Sequence, residues 1–527
     1  MSTTLTPARL PERLAGLPVE QQVAQLFMVG FEGPVPDTEF LRWMAAGVGG
    51  VIFFRENLQH LTQPAEVAQG LSELSQAISA VTLPPFLSVD QEGGRIERLP
   101  FWLFPSLPSP MAVGSAANPV SFAKEVTGVL ASQLARLGFN MNFAPTLDVN
   151  LNPRNPIIGV RAFGARASEV TPLVADVLAA YRMHGVVAVG KHFPGHGNGL
   201  VDSHLTLPEL TFTEEELRPF EAAVAAGIPA MLISHGWYPA LQSEKGPASL
   251  SKKIATDLLR ERCGFPGLLI SDDMTMGAVA GDLSAGESAV AALNAGVDML
   301  IYKAATPAVW QAYEAVLSAV QSGDIPRERF ESALLRVAQA KQFIQPFRYR
   351  PEAFANWRPA ANAATALDIA RRSLRVRHEE EPCLLPLHPE QTVLLIHPDR
   401  GAIHHYQPDQ VASPELPALL RECGMLRLRD VAYDPRQPVD LTVLPEAWRP
   451  TVGVFVTLDP LIFTEQLSAF EALQSRYPEL PWLVVSASTD AESPLTETAA
   501  VHLALCSYRP SMMAALAERL TGAVVSV

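Results

Sequence analysis

Residues 186–204 read VVAVGKHFPGHGNGLVDSH. The stretch opens on an apolar run of strand length, turns charged at Lys191 and His192, and enters a loop broken by proline and glycine. An uninterrupted apolar run of this kind fits a strand covered on both faces, as in an all-parallel sheet wrapped in helices. The same pattern recurs seven times, in LFMVGF (from Leu26), VGGVIFF (from Val48), FLSVD (from Phe86), FNMNFAP (from Phe139), AMLISH (from Ala230), GLLISDD (from Gly267) and VDMLIYK (from Val297). Longer segments of helical periodicity separate the runs. One of them, TEEELRPFEAAVAAG, opens on Thr213 with Glu216 three residues on, a helix-start signature. Eight βα units over about 300 residues predict an α/β fold, a (β/α)8 TIM-like barrel.

The remaining sequence sets the domain organisation. RERFESALLRVAQAKQFI closes the first region, expected to span residues 1–345 as the catalytic barrel. QPFRYRPEAFANWRP then brings proline and aromatic residues without periodicity, so residues 346–388 are expected to form a linker and connecting helix. Strand-like runs follow from Thr392, Thr451, Leu480 and Val501, alternating with helical segments. Residues 389–527 are therefore expected to form a smaller α/β sandwich domain.

Composition limits the function classes. The chain has 527 residues and a formal net charge of -15, which argues against sequence-independent nucleic-acid binding, since that draws on a basic surface. No apolar run reaches the length of a membrane span, the first residues lack the apolar core of a signal peptide, and the four cysteines form no C-x-x-C pair. The expectation is a cytoplasmic protein with no membrane or nucleic-acid partner and no disulfide framework.

Barrel enzymes place their chemistry at the C-terminal ends of strands. Here those positions carry Asp90, Asp148, Lys191 with His192, His235, and Asp272 with Asp273. His192 and His196 have an H-x-x-x-H interval, but the proline and glycines of HFPGHG prevent the helix that would put both on one face, so no metal is expected. Asp202 and His204 lie two apart, close enough for a carboxylate to fix an imidazole that exchanges protons near neutral pH. A strand carboxylate opposite a proton donor suits glycosidic bond cleavage. Strand alternation lets one of Asp272 and Asp273 face the barrel mouth without saying which; the other is expected to support the following loop or helix.

Together VDQEGGRIERL, NFAPTLDVN, NPIIGVRAFG, KHFPGHGNGLVDSH and GFPGLLISDDMTMGAV resemble glycoside hydrolase family 3, in its β-N-acetylglucosaminidase branch, across most of residues 20–345. The resemblance implies a retaining exo-enzyme that takes terminal N-acetylglucosamine from peptidoglycan fragments (muropeptides) or related glycosides, without a cofactor. It implies Asp272 as nucleophile, His204 as general acid/base with Asp202 as its partner, and Asp90, Arg98, Arg161, Lys191 and His192 as sugar-binding residues. The alternatives it leaves are a phosphorylase that uses phosphate in place of water, and a β-glucosidase or β-xylosidase. The second domain resembles the α/β sandwich of longer members only weakly, and is expected to be structural.

Overall fold

The computed structural model describes residues 10–200, 206–279, 283–344, 347–355, 357–379, 384–399, 415–489 and 494–525. Eight parallel strands close into a barrel: β1 (Phe27–Val29), β2 (Gly50–Phe53), β3 (Phe86–Val89), β4 (Met141–Asn142), β5 (Val187–Phe193), β6 (Ala230–Ile233), β7 (Leu268–Asp273) and β8 (Met299–Tyr302). β8 pairs with β1 in register Leu300↔Phe27, which removes both sheet edges. Every residue of β1, β2, β3, β5, β6 and β8 is buried, as expected for strands with side chains packed inside and helices outside.

The helical ring follows from local signals. The helix Pro119–Leu137 starts with proline in its first turn and ends at Gly138, whose φ of 103° is one that L side chains rarely adopt. Its buried residues Phe122, Val126, Leu130, Leu134 and Leu137 recur every three or four positions and face the barrel. Thr213 caps the helix Glu214–Ala225 by accepting from the Glu216 N–H, and Ser284 does the same for Ala285–Ala295 through Glu287. At the opposite face from the mouth, the buried carboxylate of Asp298 accepts hydrogen bonds from Arg260, Arg329 and Arg336, which ties β8 to three arginines of the outer layer.

Two barrel strands lose regular register near their C-terminal ends. β5 shifts against β6 between Gly190 and Phe193, and β7 shifts against β8 between Ile270 and Asp273. Such irregularities re-aim side chains. They fall on Lys191–His192 and Asp272–Asp273, where simple alternation no longer decides direction.

The second sheet has the order β11-β10-β12-β13-β14-β9. Its strands are β9 (Arg375–Glu379), β10 (Val393–Pro398), β11 (Leu428–Tyr433), β12 (Val452–Thr457), β13 (Trp482–Ser486) and β14 (Val501–Ala504), parallel except for the antiparallel edge strand β9. Two of these strands, β9 and β11, are additional to the four runs legible in the sequence. One apolar core lies between this sheet and the helices Leu416–Glu422 and Pro510–Thr521, and another lies against the helix Glu465–Arg476.

Candidate active site

The end of β5 and the loops after β3 and β4 build a single charged array. Lys191 donates from Nζ to Asp90 at 2.7 Å and lies 2.6 Å from Glu92. Glu92 in turn receives a bidentate pair of hydrogen bonds from Arg161, each 2.9 Å long. Arg161 Nη2 also reaches Nε2 of His192 at 3.2 Å, and Nδ1 of His192 meets Asp148 Oδ2 at 2.6 Å. Arginine can only donate, so Nε2 of His192 accepts and its Nδ1–H is given to Asp148. Backbone N–H groups of His192 and His196 donate to the two oxygens of Asp148, at 3.1 and 2.7 Å.

The electrostatics follow from burial and pairing. Burial alone would raise the pKa of Glu92, but the charges and hydrogen bonds of Arg161 and Lys191 overcome it and hold the carboxyl well below the usual range. Burial likewise opposes ionisation of Asp148, and His192 with His196 outweighs it, so Asp148 too is held low. His196 goes the other way: burial, with His192 beside it, lowers its pKa to about 4. Both ring nitrogens of His196 are buried without a hydrogen-bond partner among the described residues.

Each residue singled out by the sequence has a place in this frame. Asp90, Arg161, Lys191 and His192 are joined in the array. Arg98 sits on the same loop as Asp90 and Glu92; its N–H donates to Gln91 Oε1, and its guanidinium lies 5.9 Å from the Phe54 ring centre. Its Nε is buried without a hydrogen-bond partner among the described residues. Asp272 stands at the end of β7, and its Oδ1 accepts from the Asp273 N–H at 2.8 Å. Asp273 accepts from the N–H and hydroxyl of Thr275 and from the Lys303 N–H, so it braces the turn after β7. His235 bonds Ser249 Oγ and the Asp273 carbonyl through its two ring nitrogens, and burial lowers its pKa against the pull of Asp272. Asp202 and His204 lie outside the described residues.

Two carboxylates matter more here than their sequence context suggests. Glu92 is the counter-ion of both buried cations. The presence of Lys191 near the end of β5 and of Arg161 in the loop after β4 is itself a signal, since Asp90 alone cannot neutralise both. Glu216, read from the sequence as part of a helix start, turns toward the β5 loop and accepts from Asn198 Nδ2 at 3.1 Å. Burial and the nearby Asp148 raise its pKa to about 7. Among the described residues no three His, Cys, Asp or Glu are grouped to hold a metal ion, and no helix is long and apolar enough to cross a membrane.

A closed βα barrel whose mouth is ringed by paired carboxylates and fixed cations, with a further carboxylate at the end of β7, has the architecture of a glycoside hydrolase. Residues 18–340 match the glycosyl hydrolase family 3 N terminal domain, and the chain belongs to that family. Beta-hexosaminidase A of Pseudoalteromonas piscicida is 30% identical over 434 residues, which cover 77% of this chain and 72% of that protein. Beta-hexosaminidase of Pseudomonas aeruginosa (strain LESB58) is 36% identical over 259 residues, covering 48% of this chain and 74% of the relative. A glycoside hydrolase family 3 beta-N-acetylglucosaminidase from Paenibacillus sp. str. FPU-7 superposes with a TM-score of 0.83 at 30% identity, covering 97% of this chain and 98% of that one.

Proposed function

We propose that the chain is a retaining exo-β-N-acetylglucosaminidase, releasing terminal non-reducing N-acetylglucosamine from muropeptides or related glycosides in the cytoplasm. The observation that carries this reading is the buried array of Asp90, Lys191, Glu92, Arg161 and His192, in which donors and acceptors are fixed in advance of substrate. A rigid ring of charged hydrogen-bonding groups suits the hydroxyls of one terminal sugar. Arg98, with a buried Nε that has no partner among the described residues, is suited to a further contact. The hexosaminidase and N-acetylglucosaminidase names of the relatives support the choice of an N-acetylated sugar.

In this reading Asp272 attacks the anomeric carbon. His204, oriented by Asp202, gives its proton to the departing glycosidic oxygen, leaving a glycosyl-enzyme ester. Water then attacks that ester with His204 taking the proton, so Asp272 is regenerated and the configuration is retained. No metal or cofactor takes part.

A chromogenic panel of the N-acetylglucosaminide, glucoside and xyloside tests the proposal, each run with and without phosphate and with a chelator. The expected result is turnover of the N-acetylglucosaminide above the others, independent of phosphate and chelator. Phosphate dependence with a sugar 1-phosphate product would favour the phosphorylase reading. A preference for the plain glucoside or xyloside would favour that class of enzyme, and inhibition by chelator would restore a metal.

A further inference from the structure

The second sheet meets the barrel along the strand ends that face the active-site loops, and the contact is specific. Arg509, the residue before the helix Pro510–Thr521, is 1% exposed. Its Nε donates to the carbonyl of Gly94 and lies 3.1 Å from the carboxylate of Glu97. Glu97 is itself buried and accepts from the Ser106 hydroxyl and the Leu107 N–H, each at 3.0 Å. Two further ties reach the same segment: Ser511 Oγ donates to the Ser106 carbonyl at 2.8 Å, and Ser109 Oγ donates to the Cys506 carbonyl at 2.5 Å. All of them fall between residues 94 and 109, in the loop that leaves β3 through Asp90 and Glu92 and carries Arg98.

The loop is folded back on itself at this point. Gly94 has φ 58°, and a side chain there would lie 2.5 Å from Ser109, so the backbone must pass close beneath the Arg509 contact. A second contact covers the neighbouring loop. Ala504 and Cys506 pack with Met111, Ala112 and Val160, the residue next to Arg161. The second domain therefore contacts the loop that carries Glu92 and Arg98 and the segment that carries Arg161. A buried ion pair returns little net stability compared with a well-packed apolar contact, and its best-attested use is to fix one geometry.

We infer that Arg509 is a positioning residue for the sugar pocket: by holding Gly94 and Glu97 it sets the course of the β3 loop, and with it the placement of Arg98 and Glu92. The second domain is thus part of the binding machinery without touching substrate. This rests on the proposed reading in which Arg98 and Arg161 hold the sugar.

The test compares the full chain with Arg509→Lys, Arg509→Met and Ser511→Ala, measuring kcat, KM and thermal midpoint on the N-acetylglucosaminide. Lysine keeps a charge near Glu97 but lacks the Nε–H that donates to Gly94, so it is a partial replacement. The expected result is a KM raised about tenfold in Arg509→Met and several-fold in Arg509→Lys, with kcat changed by less than about twofold, the signature of lost uniform binding. Ser511→Ala is expected to raise KM more modestly. Wild-type KM in the lysine variant would overturn the inference, as would a lowered thermal midpoint in the methionine variant with KM unchanged. If Arg509→Met does not fold, the lysine variant decides. Failure of the substrate reading is separate: it shows as wild-type preference for a plain glucoside or xyloside, and KM is then compared on that substrate.

Discussion

The ammonium of Lys191 and the carboxylate of Glu92 meet at 2.6 Å, with 3% and 1% of their side chains exposed. Glu92 also carries the bidentate contact from Arg161, so one buried anion holds a cation from β5 and another from the loop after β4. Taking it away leaves Arg161 buried without its bidentate counter-ion and Lys191 with Asp90 alone. Glu92→Ala is expected to lower stability by about 3–5 kcal/mol and to abolish sugar binding. The pH dependence has a definite sign. The folded pKa of Glu92 lies below its unfolded value, so its contribution is complete above the ordinary carboxylate range and is lost as pH falls. Thermal midpoints measured from about pH 6 down to about pH 3 should fall more steeply for the wild type than for Glu92→Gln.

Glu216 has the opposite sign. Its pKa is raised to about 7 by burial and by Asp148, so between the unfolded carboxylate value and pH 7 the folded state binds the extra proton. Stability from this group is present at low pH and declines as pH rises through 7, by roughly 3 kcal/mol in total. Glu216→Gln should remove that slope and be more stable than wild type at about pH 8, read as thermal midpoint against pH.

Lys341 offers a third titration, far from the mouth. Its Nζ donates to Gln25 Oε1 at 2.7 Å, and burial lowers its pKa from 10.5 to about 7. The unfolded chain binds more protons between those two values, so stability rises with pH across that window. Lys341→Met should flatten the rise, and urea midpoints at about pH 7 and about pH 10 would converge in the variant. Equal slopes in both proteins would count against a neutral buried lysine.

The barrel was legible because its strands are buried on both faces and read as unbroken apolar runs, VAV in β5 and LLI in β7 among them. β9 was not, because an exposed edge strand of sequence RVRHE has no apolar face to declare it. β11 was missed for a similar reason: LRDVAY is charged through its first half. At the site, strand-end positions singled out Asp90, Lys191, His192 and Asp148, and folding links them through hydrogen bonds and ion pairs in one array. The choice between Asp272 and Asp273 was not available from alternation, because β7 is irregular at that point. Glu92 escaped notice because its importance lies in two partners, Lys191 and Arg161, that are distant in sequence. Glu216 was visible as a helix-start residue, and only folding brings it under the β5 loop.

The proton donor is tested through the leaving group. His204→Ala is expected to lose roughly 10²–10⁴-fold in kcat on a sugar aglycone and far less on an activated aryl glycoside, whose departure needs little protonation. Asp202→Ala should show the same pattern more weakly. Equal losses on both substrates would remove His204 from the acid role.

In the proposed mechanism Asp272 becomes covalently bonded to the sugar. Incubation with a fluorinated N-acetylglucosaminyl fluoride, which forms the glycosyl-enzyme faster than water removes it, followed by peptic digestion and mass spectrometry, reads this directly. One sugar mass is expected on the peptide containing Asp272, and none in Asp272→Ala. A label on another carboxylate, or continued turnover of the reagent by Asp272→Ala, would contradict it.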